Sequence, residues 1–132
     1  MTHPVVLYIE DHPDNMTLVR RILQSESYTL LEARNGMQGI SLAESQDIDL
    51  ILLDVNLPDI DGYEVAQRLR ASAKTALACI PIIAVTANAM KGDDRKAIDA
   101  GCNLYMSKPI NIQELLEKVK SLACRKAQGI TL

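Results

Sequence analysis

Leu50-Ile51-Leu52-Leu53-Asp54 places an acid directly behind four consecutive aliphatic residues. A strand with one wet face alternates apolar and polar side chains. A run without alternation instead suits a strand buried on both faces, as in a parallel sheet covered by helices. Val5 to Ile9, Tyr28 to Ala33, Ile80 to Val85 and Leu104 to Ser107 are further short apolar runs, separated by longer amphipathic stretches. This alternation predicts repeated strand-helix units and an α/β domain with a mainly parallel sheet of five strands. The core has to be aliphatic, because the only aromatic residues are four Tyr, with no Phe or Trp.

The intervening segments carry helix signals. Pro13 suits the first helical position after His12, and Met16, Val19, Ile22 and Leu23 then recur on one face. Asn35 with Gln38, and Asn111 with Glu114, have capping spacing for the second and fifth helices. Ile112, Leu115, Leu116, Val119 and Leu122 give the fifth an apolar stripe. Gly62 to Ser72 is predicted as the third helix and Lys91 to Ala100, closed by Gly101, as the fourth. The fourth is the weakest, since Asp93, Asp94, Arg95 and Lys96 crowd together as a solvated face.

A chain of 132 residues suits one domain, expected over residues 1–124, followed by a frayed tail at 125–132 where periodicity is lost. The net charge of -3, with no dense Lys/Arg run, argues against nucleic-acid binding, which needs clustered cations. Cys79, Cys102 and Cys124 are odd in number and contain no C-x-x-C pair, so reduced thiols are expected rather than disulfides or zinc. The start resembles no signal peptide and no apolar run approaches membrane-spanning length, so a soluble, cytoplasmic protein is expected. His3 and His12 have no ligand geometry; His12 reads as a loop or cap residue.

Ligands of an open parallel sheet bind beyond the carboxyl ends of its strands. The first predicted strand ends in Glu10-Asp11, the third in Asp54 and the fourth in Thr86, and the fifth leads into Lys108-Pro109. Two like charges about 4 Å apart repel by roughly 4 kcal/mol at an effective dielectric near 20. One Lys cannot balance three carboxylates. Hard oxygen donors favour Mg²⁺, which typically takes one or two carboxylates plus a phosphate, so the cluster implies a cation and an anion together. Asp54, fixed at the mouth of a rigid central strand, is the candidate nucleophile, with Glu10 and Asp11 toward the metal. Lys108 and the Thr86 hydroxyl are candidates to neutralise phosphoryl oxygens.

These residues resemble the receiver domains of bacterial two-component response regulators. The resemblance rests on Glu10-Asp11, on Asp54 followed by Leu57-Pro58-Asp59-Ile60-Asp61-Gly62, on Thr86-Ala87, and on Tyr105-Met106-Ser107-Lys108-Pro109, and it covers nearly the whole chain. It implies a doubly wound, flavodoxin-like sheet of strand order 2-1-3-4-5 flanked by five helices. It also implies phosphorylation of Asp54 from a phosphohistidine on a sensor histidine kinase or histidine phosphotransfer protein. Mg²⁺ would be held by Asp11, Asp54 and the Asn56 backbone carbonyl, with Glu10 acting mainly through water. The family more often has two aspartates where this chain has Glu10-Asp11. By the same resemblance the Lys108-Pro109 bond is cis, and Thr86 and Tyr105 form a switch. Asn56 and Asn88, each two residues beyond a site residue, are expected to border the phosphoryl group and tune its lifetime. Output would be contact with a downstream protein through the fourth helix, fifth strand and fifth helix, as a monomer or a phosphorylation-dependent dimer.

Three other functions compete with a single-domain, non-enzymatic regulator. A receiver within a hybrid kinase is suggested by the Met90-Lys91-Gly92-Asp93 stretch, whereas Met1 suits a stand-alone regulator. A Mg²⁺-dependent phosphohydrolase with a strand-end Asp nucleophile would want a second Asp two residues on, where Asn56 stands. A phosphorylation-independent binding module would be expected to lack some of the acidic residues or the Lys.

Overall fold

In the computed structural model, which describes residues 3–87 and 93–127 and the side chains of all of these except 93, 94 and 123–127, the Leu50–Asp54 run forms the middle of a five-stranded sheet. The elements are β1 (Val5–Ile9), α1 (Pro13–Ser25), β2 (Thr29–Ala33), α2 (Gly36–Ser45), β3 (Leu50–Asp54), α3 (Gly62–Arg70), α4 (Thr75–Ala78), β4 (Ile82–Thr86), α5 (Asp93–Ala100), β5 (Leu104–Ser107) and α6 (Ile112–Ala127). All strand pairs are parallel and the order is β2-β1-β3-β4-β5. Every residue of β3 and β4 is buried, as two covered faces require.

Alternation along the strands sorts their side chains into two cores. Val6, Tyr8, Leu50, Leu52, Ile83 and Met106 face α1 and α6, meeting Met16, Val19, Leu115 and Val119. Leu7, Ile9, Ile51, Leu53, Ile82 and Ala84 meet Ala43, Val65, Ala66, Leu69, Ala97 and Ala100 of α2, α3 and α5. Ile112, expected in the apolar stripe of the last helix, is instead 52% exposed.

The helix ends follow local chemistry. His12 caps α1, its side chain accepting from the Asp14 N–H ahead of Pro13. Asn35 caps α2 through the Gln38 N–H at 2.8 Å, and Asn111 accepts from the Glu114 N–H at 2.8 Å. Several boundaries differ from expectation, β2 starting at Thr29 rather than Tyr28. Pro81 has no N–H to donate to a ladder and Ile80 closes a turn onto Leu77, so β4 starts at Ile82 and runs through Thr86. The third helix stops at Arg70, and the one-turn α4 follows, making six helices among the described residues. Helix α6 continues to Ala127, through the start of the expected tail; residues 128–132 lie outside the described residues.

Candidate functional site

The register brings the strand-end residues together. Ile9 pairs with Leu53, Asp54 with Val85, and Thr86 with Ser107, so Glu10, Asp54, Thr86 and Lys108 all stand at one edge of the sheet. Alternation then divides them. Glu10 continues the Val6-Tyr8 face, Asp54 the Leu50-Leu52 face and Lys108 the Met106 face, all toward α1 and α6. Thr86 continues the Ile82-Ala84 face on the other side, where half-buried Tyr105 also packs.

Glu10 and Asp54 are each only 1% exposed, and Thr86 2%. Asp11, at the turn into α1, is exposed. One oxygen from each of Glu10, Asp11 and Asp54 lies within 4.8 Å of the others. Lys108 begins two strands away from β3, about 10 Å across the sheet, yet its Nζ sits 3.2 Å from Asp54 Oδ2 and 3.3 Å from Glu10 Oε1. Its aim is fixed from the backbone: the Lys108 N–H donates to the Thr86 carbonyl at 2.7 Å and the Lys108-Pro109 bond is cis.

Asp54 Oδ1 accepts the Asn56 N–H at 3.0 Å, while the Asn56 side chain is exposed beside it. The loop from β3 to α3 is pulled tight behind the site. The Gly62 N–H donates to the Val55 carbonyl at 3.1 Å, and a Cβ on Gly62 would stand 2.4 Å from Val55 Cα and 2.6 Å from the Asp54 carbonyl oxygen, so no side chain fits there. Asn88 lies outside the described residues, as does the Met90-Lys91-Gly92 stretch.

Electrostatics follow from crowding. Burial first, then hydrogen bonding and repulsion from Glu10, push the Asp54 carboxyl up to about 7, against the Asn56 amide and Lys108. Burial pushes Glu10 up as well, but its hydrogen bonds with Asp54, Tyr8 and the His12 amide, with Lys108 beyond, hold it below the usual carboxylate range. Desolvation lowers the Lys108 ammonium, and the charges of Asp54 and Glu10 more than reverse that. Of the two buried carboxyls, Asp54 is the one pushed toward its neutral form and Glu10 the one held ionised. Lys108 is the only cation with an ion pair to either of them among the described residues. A hard divalent cation fits this donor set, because three carboxylate oxygens converge there with one ammonium to offset them.

Two features around the site went unread in the sequence. Glu10 Oε1 accepts from the Tyr8 hydroxyl at 2.8 Å and from Asn15 Nδ2 at 3.4 Å, and Oε2 from the His12 N–H at 3.2 Å. The Tyr8-x-Glu10 spacing was the available signal, since residues two apart on a strand share a face. Asp59, read only as part of a motif, accepts the Gly36 and Met37 N–H groups at 2.7 and 2.8 Å, tying the β3-α3 loop to the α2 N-terminus. Burial opposes its charge, but these backbone donors hold its carboxyl below the ordinary value.

With this geometry established, the chain was compared with known proteins. Residues 6–120 match the response regulator receiver domain family. The polar-differentiation response regulator DivK of Brucella anthropi is 40% identical over 116 residues, 88% of this chain and 93% of DivK. The receiver domain of the sensor histidine kinase PA1611 from Pseudomonas aeruginosa, solved with magnesium coordinated in its active-site cleft, is similar at 35% identity and a TM-score of 0.85, covering 93% of this chain and 99% of that one. A co-crystal structure of the Saccharomyces cerevisiae phosphotransfer protein Ypd1 with the Ssk1 receiver domain is similar at 29% identity and a TM-score of 0.88, covering 95% and 92%.

Proposed function

The chain belongs to the response regulator receiver domain family, and from that premise we propose that it is a phosphoacceptor switch in a two-component phosphorelay, with Asp54 as the acceptor. The observation that carries the proposal is the carboxylate pair Glu10-Asp54, buried with exposed Asp11 beside it and a single ammonium between the two buried acids. A purely structural pocket would not retain that imbalance, because each unbalanced buried charge is destabilising.

Glu10, Asp11, Asp54 and the Asn56 backbone carbonyl would hold Mg²⁺, which when bound neutralises the anionic oxygens of a transferring phosphoryl group. Asp54 supplies the carboxylate oxygen that bonds to phosphorus as the P–N bond of a phosphohistidine breaks, the freed imidazole nitrogen taking up a proton. The donor is a sensor histidine kinase or a histidine phosphotransfer protein, consistent with the Ypd1 complex of a similar receiver. Lys108, already 3.2 Å from Asp54, moves from carboxylate to phosphoryl oxygen as the charge shifts outward. Thr86 adds its hydroxyl from the far face, and Tyr105, packed on that face, occupies the space Thr86 leaves. Asn56, and Asn88 beyond the described residues, would leave room for an attacking water and so a moderate phosphoryl lifetime.

A phosphoryl group adds about -1.5 to -2 charge. Moving a two-state domain from 1:99 to 99:1 needs about 5.5 kcal/mol, and a few charge-assisted hydrogen bonds of about 1.5–3 kcal/mol each supply that. The weakly amphipathic α5 is where the change in shape is expected, passed to a downstream protein or a second copy through α5, β5 and α6. No helix of the described residues is long and apolar enough to cross a membrane, and a cytoplasmic, non-enzymatic role fits this reading.

The test is intact mass after incubation with Mg²⁺ and a small acyl phosphate. One added phosphoryl group, absent in Asp54→Asn, is expected. Rapid turnover of phosphate esters would replace the switch with a hydrolase, and neither an adduct nor a response to beryllofluoride would replace it with a passive binding module. Unchanged dephosphorylation in Asn56→Met and Asn88→Arg would remove the lifetime role of those positions.

A further inference from the structure

The longer acid at position 10 comes with a partner beneath it. Tyr8 is fully buried, its ring fixed in the core that α1 and α6 share with the sheet. A buried phenol hydroxyl needs an acceptor, since an unpaired one is strongly destabilising. Here it donates to Glu10 Oε1 at 2.8 Å, and Lys108 Nζ and Asn15 Nδ2 reach the same oxygen at 3.3 and 3.4 Å. Glu10 is thus held from inside the core as well as from the site. An aspartate there, about 1.5 Å shorter by one C–C bond, would leave the Tyr8 hydroxyl beyond hydrogen-bond reach.

Building on the functional reading above, we propose that Tyr8 is a positioning residue for the metal site, a buried strut that sets the orientation of Glu10 and is matched to a glutamate at that position. Partners that orient metal-binding carboxylates typically contribute tenfold or more to affinity. The fully buried Tyr8 hydroxyl donates to Glu10, so its contribution to metal binding passes through that side chain. It should therefore vanish when Glu10 no longer reaches it.

The test is a double-mutant cycle read by calorimetric titration with magnesium chloride, with thermal unfolding of each variant in parallel. Tyr8→Phe keeps the ring, so the fold is expected to remain cooperative while the Mg²⁺ dissociation constant rises about tenfold. In a Glu10→Asp background the same Tyr8→Phe change is expected to alter affinity by less than about twofold. Unchanged affinity in Tyr8→Phe, or an equal loss in both backgrounds, overturns the proposal, the second outcome assigning Tyr8 a general structural role. A parent chain with no affinity at millimolar Mg²⁺ overturns the functional reading itself, and this inference with it.

Discussion

The two ends of the sheet treat polar groups in opposite ways, half-buried at the amino end and, at Glu10 and Asp54, fully buried at the carboxyl end. At the amino end Arg70, Lys74 and Asp49 are matched to backbone groups. Arg70 donates to the carbonyls of Gly101 (2.9 Å) and Ala78 (3.3 Å) and to Asn103 Oδ1 (2.9 Å), which also accepts the Ile82 N–H. Lys74 Nζ reaches the carbonyls of Ala43, Glu44 and Gln46 that end α2, and Asp49 Oδ2 accepts the Val5 N–H at 2.7 Å. At the carboxyl end Glu10 and Asp54 share one Lys, with the Asp11 carboxylate beside them. The first arrangement closes loops and stabilises; the second leaves net negative charge that a bound cation would offset. The candidate site is thus the place where matching stops.

The sharpest way to break this contrast is to neutralise the unmatched end. Asp54→Asn is expected to abolish the phosphoryl adduct completely while making the metal-free protein more stable. The sign follows from the raised Asp54 value of about 7. A carboxyl whose folded pKa exceeds its unfolded one binds its proton more tightly when folded, so the parent loses stability as pH rises from about 4 to about 7. The gain in Asp54→Asn should be about 1–4 kcal/mol at pH 8 and about a third of that at pH 5, measured by urea unfolding at the two pH values. A substitution that destabilises at pH 8 would show that Asp54 is matched after all.

Arg70→Met tests the other end. Leaving several carbonyls without their donor should cost about 2–4 kcal/mol, with Mg²⁺ affinity unchanged in titration. Loss of affinity would show that the two ends are coupled rather than independent. Next in size, Mg²⁺ at about ten times its dissociation constant should stabilise the parent by about 1.4 kcal/mol, raising the thermal midpoint at pH 8 and doing so far less in Asp54→Asn. Smallest of all, Lys74→Met should cost about 1 kcal/mol, because the α2 carbonyls it caps can turn to water. Unaltered phosphorylation in that variant would keep the amino end structural.

Much of this was legible in the chain. The unalternating runs announced buried parallel strands, and β1, β3 and β5 begin and end where the sequence places them. Four strand-end groups were identifiable because strand ends in a parallel sheet all face one edge. What stayed hidden were contacts across the face of the sheet or between loops. Pro81 moved the start of β4 through a missing donor. Asp59 found the α2 N-terminus 23 residues back in the chain, a pairing that no local pattern encodes.

Residue order alone therefore determined the layers, the strand ends and which acids, hydroxyl and ammonium could meet, because side-chain periodicity and chain direction are local properties. Only the folded sheet decided how they meet. The parallel register puts Glu10 against Asp54 and carries Lys108 across two strands to both, and the packed core beneath turns Tyr8 into the support of Glu10. Charge balance depends on separations of a few ångströms between residues far apart in sequence, and those separations exist only once the strands have paired.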